Sequence, residues 1–276
     1  KGAPTPSRLI VVSAIPVLII TTFIFANSEQ VGYRAEPFVG NAEVEAMDVA
    51  ASRRYSALVF GNSIPESLAR SVQMDAHPYL HLYSNTYIGC EPFEGTKIVD
   101  DKESLPSPAC LNWRKEWPSI VAQSKPDVLV YFVSQALVND IKISGKIVRF
   151  GTAAHDAFIQ NSLDHVMDTA LESSAGEFAL SNLACHSIPA FDDVELNRVN
   201  DISNVQHVNE VVTQWAASRD VLVIDTFTAL CPGGQFSPTL NGVELYGDGL
   251  HFTSESGPIF WSWMAPQLIA HLETRD

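Results

Sequence analysis

The stretch YSALVFGNSIPESLAR, residues 55–70, decides the fold. Its first six residues form an apolar run with the length and composition of a buried strand in a parallel sheet. The run ends at Gly61-Asn62-Ser63, and a helical pattern over 65–73 follows. Ser63 therefore lies at the junction between a strand and a helix. A serine at this place is either an ordinary turn residue or a nucleophile presented at the end of a strand.

The same alternation of apolar runs and helical patterns continues to the end of the chain. Further strands are predicted at 79–89, 126–134, 177–185 and 220–230, and further helices at 112–124, 155–174, 197–219 and 254–273. Residues 91–110, rich in Pro, Glu, Asp and Ser, are predicted as a surface loop, and Thr253 as the N-cap of the last helix. Because strands joined through helices pair in parallel, we predict a three-layer α/β/α fold with a parallel, flavodoxin-like sheet.

The composition limits the classes of partner. Of the 276 residues, 46% are hydrophobic, which is enough to bury a substantial core. The formal net charge is −15 at pH 7, and this argues against a nucleic-acid partner, because phosphates are bound by clustered lysine and arginine. His77 and His81 are four residues apart, but no third ligand accompanies them. We predict no metal and no cofactor.

Residues 9–26, LIVVSAIPVLIITTFIFA, carry no charged side chain. As a helix this segment spans roughly 27 Å, close to the thickness of the hydrocarbon core of a bilayer. Lys1 and Arg8 precede it, so the positive-inside rule predicts a cytoplasmic amino end. A cleavable signal peptide and a buried core helix are the two alternative interpretations.

We accordingly predict three parts of the chain. A transmembrane helix with its cytoplasmic flank covers 1–28, a stem covers 29–50, and an α/β domain covers 51–276. The predicted location is the cell membrane, with membrane contact through residues 9–26 and with residues 29–276 extracytoplasmic. The numbering starts at Lys rather than Met, so the span is also interpreted as the last of several in a longer protein.

The chain contains four cysteines, Cys90, Cys110, Cys185 and Cys231. An even number of cysteines in an extracytoplasmic domain predicts disulfides. We predict the pair Cys90–Cys110, because the intervening loop is short and rich in proline, and the pair Cys185–Cys231. The alternative is four buried thiols.

A second motif, YGDGLHF at 246–252, places Asp248 and His251 just ahead of the last predicted helix. A serine hydroxyl needs a base to remove its proton, and histidine serves this purpose near neutral pH. The histidine in turn needs an acceptor that fixes its tautomer, and a carboxylate three residues away supplies one. Each residue also has a structural interpretation: His251 as a surface histidine and Asp248 as a turn former before Gly249.

Together these motifs resemble the first and last blocks of the SGNH, or GDSL-like, hydrolase superfamily. The usual Gly-Asp-Ser of the family appears here as Gly61-Asn62-Ser63. Other stretches resemble the extracytoplasmic SGNH domains that are fused to multi-span bacterial membrane acyltransferases. They are TYIGCEP at 86–92, CLNWRKEW at 110–117, KPDVLVYFV at 125–133, CPGG at 231–234 and DGLHFTSESG at 248–257. The resemblance covers roughly residues 51–272.

The resemblance implies a role for each matching residue. Ser63 would be the nucleophile, His251 the base, and Asp248 the partner that orients the histidine. The backbone N–H groups of Ser63 and Gly89 would form an oxyanion hole. Gly89 has an equally good structural interpretation, as the glycine that the turn before Cys90 requires.

The sequence departs from the family pattern after the third core strand. The family usually carries Gly-x-Asn-Asp there, and the Asn donates to the oxyanion; this chain has Ser-Gln-Ala-Leu at 134–137, with Ala136 at the Asn position. Gln135 and Asn139 are the nearby candidates to replace it. The alternatives are a slow enzyme or a site that has lost its activity, because losing one oxyanion donor costs about a hundredfold or more in rate.

The resemblance favours serine-dependent acyl transfer outside the cytoplasm, with an acyl donor and a glycan acceptor of the cell envelope as substrates and acetyl as the acyl group. A carbohydrate O-acetyl esterase with the same fold is the closest alternative. A membrane-tethered glycan-binding module without activity and an unrelated doubly wound domain are the others. A multi-span acyltransferase domain in the same longer chain is the expected partner.

Overall fold

The computed structural model describes residues 51–99, 101–174, 176–188 and 197–275. The membrane helix predicted at 9–26 and the stem predicted at 29–50 lie outside these residues. Within the described part of the chain, no helix combines the length and the apolar character that a membrane span requires.

The strands of the described residues are numbered β1 to β11 in chain order. They are Tyr55–Gly61, Leu80–Thr86, Thr96–Val99, Lys102–Ser104, Val128–Phe132, Asp140–Ile143, Lys146–Val148, Glu177–Ser181, Leu222–Ile224, Thr239–Leu240 and Val243–Glu244. The α-helices, α1 to α7, are Ser63–Ser71, Trp113–Ser124, Ala153–Leu171, Asn197–Asn200, Ile202–Ala217, Thr226–Leu230 and Ser256–Glu273.

The central sheet has five strands in the order β2-β1-β5-β8-β9. Every neighbouring pair in it is parallel. This is the doubly wound, flavodoxin-like order, which confirms the predicted three-layer fold. The strand order reverses between β1 and β5, and ligand sites of such sheets lie at the carboxyl ends of the strands at this switch point.

The two faces of the sheet bury different helices, as the period of two along each strand requires. Ala57 and Val59 of β1 face a core that contains side chains of α1 and α7. Leu58 and Phe60 face a second core with side chains of α2, α3 and α5. The ring of Phe60 stacks on that of Trp117, with a centroid distance of 4.2 Å. Burial on both faces explains why β1 has an uninterrupted apolar sequence.

A second, antiparallel sheet has the order β4-β3-β6-β7 and was not predicted. The prediction that 91–110 is a surface loop was wrong for β3 and β4. These strands have three or four residues, and Ile98 is the only buried residue in β3 and β4, so they show no measurable alternation. The turn between β6 and β7 is Ser144-Gly145 with positive φ at both residues, 49° and 79°, which is the geometry of a tight hairpin.

Other predicted boundaries also change in the structure. The strand predicted at 220–230 is only β9, because the Asp225 side chain accepts a hydrogen bond from the Thr228 N–H at 3.1 Å and begins α6. The helix predicted at 197–219 is divided into α4 and α5 at Asp201, whose side chain caps α5 through the Ser203 N–H at 2.9 Å.

The last helix, α7, begins at Ser256, two residues after its predicted start. Its N-cap is Glu255, which makes no side-chain capping hydrogen bond, so the prediction of Thr253 as the N-cap was wrong. In the turn before the helix, the Thr253 hydroxyl accepts a hydrogen bond from the Ser256 N–H and the Ser256 hydroxyl accepts one from the Thr253 N–H, both at 3.0 Å. This reciprocal pair has the form of a capping box.

The structure contains both predicted disulfides, Cys90–Cys110 and Cys185–Cys231. They close loops with sequence separations of 20 and 46 residues, respectively. The entropy of loop closure in the unfolded chain predicts stabilisation of about 3 and about 4 kcal/mol.

We therefore expect the double variant Cys185→Ala/Cys231→Ala to lose more free energy of unfolding in urea than Cys90→Ala/Cys110→Ala. The reverse order would show that strain or packing, rather than loop length, decides the effect.

Candidate active site

Ser63 is the first residue of α1, and one residue, the N-cap Asn62, separates it from the carboxyl end of β1 at Gly61. The chain turns at Gly61, which has a φ of 140°. A Cβ atom there would lie 2.9 Å from Cγ of Pro65 and 3.3 Å from the carbonyl oxygen of Phe132. Glycine is therefore required at this position both by the backbone angle and by the close contacts. The tight turn presents Ser63 at the rim of the sheet.

The first turn of α1 leaves one backbone donor free beside the serine. The Ile64 N–H donates to Oδ1 of the N-cap residue Asn62 at 3.0 Å. Pro65 has no N–H, and the Glu66 N–H donates to the Asn62 carbonyl at 3.3 Å. Among the described hydrogen bonds, the Ser63 N–H has no acceptor. A free N–H at a helix amino terminus favours a negative charge nearby.

Ser63, His251 and Asp248 form a continuous chain of hydrogen bonds. Nε2 of His251 lies 2.7 Å from Oγ of Ser63, and Nδ1 of His251 lies 2.6 Å from Oδ2 of Asp248. Since a carboxylate only accepts, we assign the imidazole proton to Nδ1. Nε2 is then the acceptor for the Ser63 hydroxyl. The sequence predicted all three residues, and the structure brings them together across 188 positions of the chain.

The Asp248 carboxylate is held in its ionised form by its surroundings. Partial burial raises its pKa, but hydrogen bonds from the His251 ring and from two backbone N–H groups outweigh this effect and lower the pKa below its ordinary value. The backbone donors are the N–H groups of Leu250, at 3.0 Å, and His251, at 2.8 Å, both to Oδ1. A carboxylate that both orients an imidazole and stays charged is able to stabilise the protonated form of the ring.

The loop that carries Asp248 and His251 is fixed at both ends. Gly249 has a φ of 81°, and a Cβ atom there would lie 2.0 Å from the carbonyl oxygen of Ser187. The Ser187 N–H also donates to the Gly249 carbonyl at 3.1 Å. On the other side, the Phe252 N–H donates to the Ser67 hydroxyl of α1 at 3.0 Å. These contacts fix the position of the imidazole relative to the serine.

Gly89 follows β2, the strand that pairs with β1, and has a φ of 68°. Its carbonyl accepts a hydrogen bond from the Ser107 N–H at 3.1 Å. Its own N–H has no acceptor among the described hydrogen bonds. The left-handed conformation explains the glycine by itself, so the oxyanion role of Gly89 stays a prediction.

The structure separates the two candidates for the missing oxyanion donor. Asn139 is buried, and its side-chain Nδ2 donates to the carbonyl of Ala136 at 3.2 Å. Oε1 of Gln135 instead accepts a hydrogen bond from Nδ2 of Asn62, the residue before Ser63, at 2.8 Å. Nε2 of Gln135 is buried and has no partner among the described residues. Of the two candidates, Gln135 is therefore the one whose side-chain N–H donor is not engaged by another described residue.

A buried carboxyl group that was not predicted lies behind this region. The Ser134 hydroxyl donates to the Glu91 carboxylate, and Nζ of Lys97 on β3 lies 3.4 Å from its other oxygen. Burial raises the pKa of Glu91 above its ordinary value despite these two partners. Glu91 thus connects the segment after Gly89 to the segment before Gln135. Glu91 lies within the TYIGCEP stretch at 86–92, but its burial was not predicted, because the residues that follow have the composition of an exposed loop.

The raised pKa of Glu91 means that its ionised form disfavours folding at neutral pH. This cost disappears as the pH falls through the folded-state pKa and then below that of the unfolded chain. Gln at this position still accepts from Ser134 but carries no charge. We expect Glu91→Gln to raise the urea midpoint relative to wild type at pH 7, and the difference to vanish towards pH 4. A lower midpoint at pH 7 would show that the pairing with Lys97 outweighs burial.

A small cavity of about 20 Å³ lies next to Ile64 and Phe252, the residues that follow Ser63 and His251. His186 and Tyr246 line it, and both are buried. Burial, together with the positive charge of His251 when protonated, lowers the pKa of His186 to about 3, so its ring is neutral under ordinary conditions. Nδ1 of His186 and the hydroxyl of Tyr246 have no partner among the described residues. The sequence did not predict either residue.

A family model described as an SGNH domain fused to AT3 domains matches residues 34–256. The chain belongs to the SGNH family. This confirms the resemblance drawn from the blocks around Ser63 and His251. The sequence of this SGNH domain has no significant match among curated proteins.

Solved structures share the fold of this SGNH domain at low sequence identity. Est24, a carbohydrate acetylesterase from Sinorhizobium meliloti, has 13% identity and a TM-score of 0.51, over 79% of this chain and 100% of that chain. The aryl esterase of M. smegmatis has 13% identity and a TM-score of 0.50, over 78% of this chain and 99% of that chain. At these identities the similarity establishes the three-layer fold alone.

Proposed function

We propose that this SGNH domain transfers acyl groups, most simply acetyl, through a covalent ester on Ser63. The observation that carries the proposal is the hydrogen-bond chain from Ser63 through His251 to Asp248, with distances of 2.7 and 2.6 Å. These are the distances required of a nucleophile, its base and the group that orients the base. A structural serine at a helix start has no need of such a chain.

In the proposed reaction, Oγ of Ser63 attacks the acyl carbonyl carbon while Nε2 of His251 takes the hydroxyl proton. The carbonyl oxygen becomes an oxyanion, which the N–H groups of Ser63 and Gly89 and Nε2 of Gln135 would stabilise. Each such donor is worth about a hundredfold or more in rate. Collapse of this intermediate breaks the bond to the leaving group, which receives the proton from His251. An acyl-serine remains.

The second half of the reaction uses the same groups. Nε2 of His251 removes the proton of the acceptor hydroxyl, and the acceptor oxygen attacks the acyl-serine. A sugar hydroxyl as acceptor gives an O-acylated glycan, whereas water gives a free acid. We propose a sugar of the cell envelope as acceptor, because the matching family model describes domains fused to AT3 domains. The two disulfides support a location outside the cytoplasm, where such bonds persist. Anchoring through residues 9–26 would keep the site at the membrane.

The second candidate function is hydrolysis of carbohydrate O-acetyl esters. Est24, a carbohydrate acetylesterase that shares the three-layer fold of this chain, is the reason to consider it. Both functions share the acyl-serine and differ only in the acceptor. A glycan-binding module without activity would not need the Nδ1 and Nε2 hydrogen bonds of His251.

The experiment that tests the proposal uses the full chain in detergent, p-nitrophenyl acetate as donor and a mixture of bacterial envelope oligosaccharides as acceptors. Release of p-nitrophenol reports acylation, and mass spectrometry of the oligosaccharides reports transfer. We expect oligosaccharides that gain the mass of an acetyl group, in a reaction that requires Ser63. Free acetate without acetylated oligosaccharide would favour the esterase. The absence of any release that depends on Ser63 would overturn both functions.

A further inference from the structure

The orientation of the Asn62 side chain is determined by the backbone of α1. The Ile64 N–H can only donate, so the atom of Asn62 that lies 3.0 Å from it is Oδ1. Nδ2 of Asn62 must then point the other way, towards Gln135. Asn62 is only 5% exposed, so water does not compete for these bonds.

The orientation of Gln135 follows from that of Asn62. Nδ2 of Asn62 is a donor without lone pairs, so Gln135 has to present Oε1 to it, and the two atoms lie 2.8 Å apart. The sheet brings these residues together, because β1 and β5 are paired neighbours with Phe60 opposite Tyr131. Nε2 of Gln135 is thereby turned away from Asn62. It is buried without a partner among the described residues, next to the residue that precedes Ser63.

We propose that Asn62 is a positioning residue, which keeps Nε2 of Gln135 available as an oxyanion donor, and that an amide rather than a carboxylate is required at position 62. The inference rests on the proposed function, since it assigns the donor for the oxyanion of the same reaction. It also accounts for two departures from the family pattern with one contact. They are Asn in place of Asp before the serine, and Ala136 at the position of the usual Asn, whose role as donor Gln135 would take over.

The inference makes Asn62→Asp the decisive substitution, although it restores the usual Gly-Asp-Ser of the family. An aspartate would still accept from the Ile64 N–H and would suit the helix amino terminus at least as well. Its other oxygen accepts only, so Gln135 would rotate to donate Nε2 to it. Oε1 of Gln135 would then face the site, where a developing oxyanion is repelled by an acceptor. The fold is preserved while the donor is lost.

The test is a double-mutant cycle on the full chain with p-nitrophenyl acetate. We expect Asn62→Asp and Gln135→Ala each to lower kcat by about 100- to 1,000-fold, with KM within about threefold of wild type. Because Asn62 acts only through Gln135, the double variant should fall within about threefold of Gln135→Ala alone. The melting temperature of Asn62→Asp should not fall below that of wild type. A purely structural role for Asn62, as the cap of α1, would instead leave kcat unchanged in Asn62→Asp, because an aspartate oxygen still accepts from the Ile64 N–H.

Two results would overturn the inference while leaving the proposed function intact. One is Asn62→Asp with a kcat within about threefold of an active wild type. The other is a double variant whose loss is the product of the two single losses, which would mean that the new charge acts on Ser63 or His251 directly and not through Gln135. A wild-type protein without turnover that depends on Ser63 would overturn the proposed function and the inference together.

Discussion

Ser63→Ala is expected to lower kcat/KM for p-nitrophenyl acetate by about 10⁴-fold or more. Without the nucleophile of the Ser63–His251–Asp248 hydrogen-bond chain, only substrate binding and the oxyanion donors still contribute to the rate. The loss should appear in kcat, and the burst of p-nitrophenol that reports formation of the acyl-serine should disappear. Ser63 and His251 are both half-buried, so water can replace the lost hydrogen bond and removal of the hydroxyl costs little folding energy. The measurement is stopped-flow kinetics combined with thermal unfolding.

The matched control for this prediction is Ser119→Ala on the exposed side of α2. It should have the kinetics of wild type, because the one hydrogen bond of the Ser119 hydroxyl to a described residue is accepted from Nε2 of Gln123 in the same helix. Activity of Ser63→Ala within about tenfold of wild type would mean that another group carries the acyl transfer. A normal burst in Ser63→Ala would place the covalent intermediate on a different residue.

Gly249→Ala is expected to lower kcat/KM by about 100-fold or more, although Gly249 has no chemical role. A Cβ atom at this position would lie 2.0 Å from the carbonyl oxygen of Ser187, so the loop between Asp248 and His251 must move by more than an ångström. A shift of about 1 Å in a reacting group costs on the order of 100-fold in rate. The measurement is the same ester assay, together with the distance between Oγ of Ser63 and Nε2 of His251 in a crystal structure of the variant.

Gly242→Ala separates the clash from the strain of the left-handed backbone. Gly242 has a φ of 83°, almost equal to the 81° of Gly249, but a Cβ atom there would contact nothing within 4 Å. Both variants should lose a similar, small amount of stability from the backbone angle. Only Gly249→Ala should lose activity. Equal kinetics for the two variants would show that the loop tolerates displacement and that its position does not control the site.

The parts of the fold that the sequence predicts are those with long apolar runs. The strand at 55–61 and the strand at 128–132 are buried on both faces, and the apolar run that results cannot be mistaken for a surface segment. The antiparallel sheet escaped prediction because β3, β4, β6 and β7 are short and partly exposed. Its stability comes from pairing between segments far apart in the chain, as between Ile98 and Asp140, which no local pattern records.

The residues of the candidate site also fall into a group that the sequence predicts and a group that it does not. Ser63 lies in one short motif, and Asp248 and His251 lie in another. Because these motifs resemble the first and last blocks of the SGNH family, the sequence predicts that the three residues meet. The partners that orient the site have no such motif. The contact of Gln135 with Asn62 depends on the adjacency of β1 and β5, and the burial of Glu91 and His186 depends on segments packed over them. Such relations exist only in three dimensions.

The most direct test of the proposed chemistry is mass spectrometry of the protein quenched with acid during turnover of p-nitrophenyl acetate. We expect a single added acetyl group, located by peptide fragmentation on Ser63, with an occupancy that falls once the ester is consumed. Product formation without acetyl on Ser63, or with acetyl on a different residue, would contradict the account.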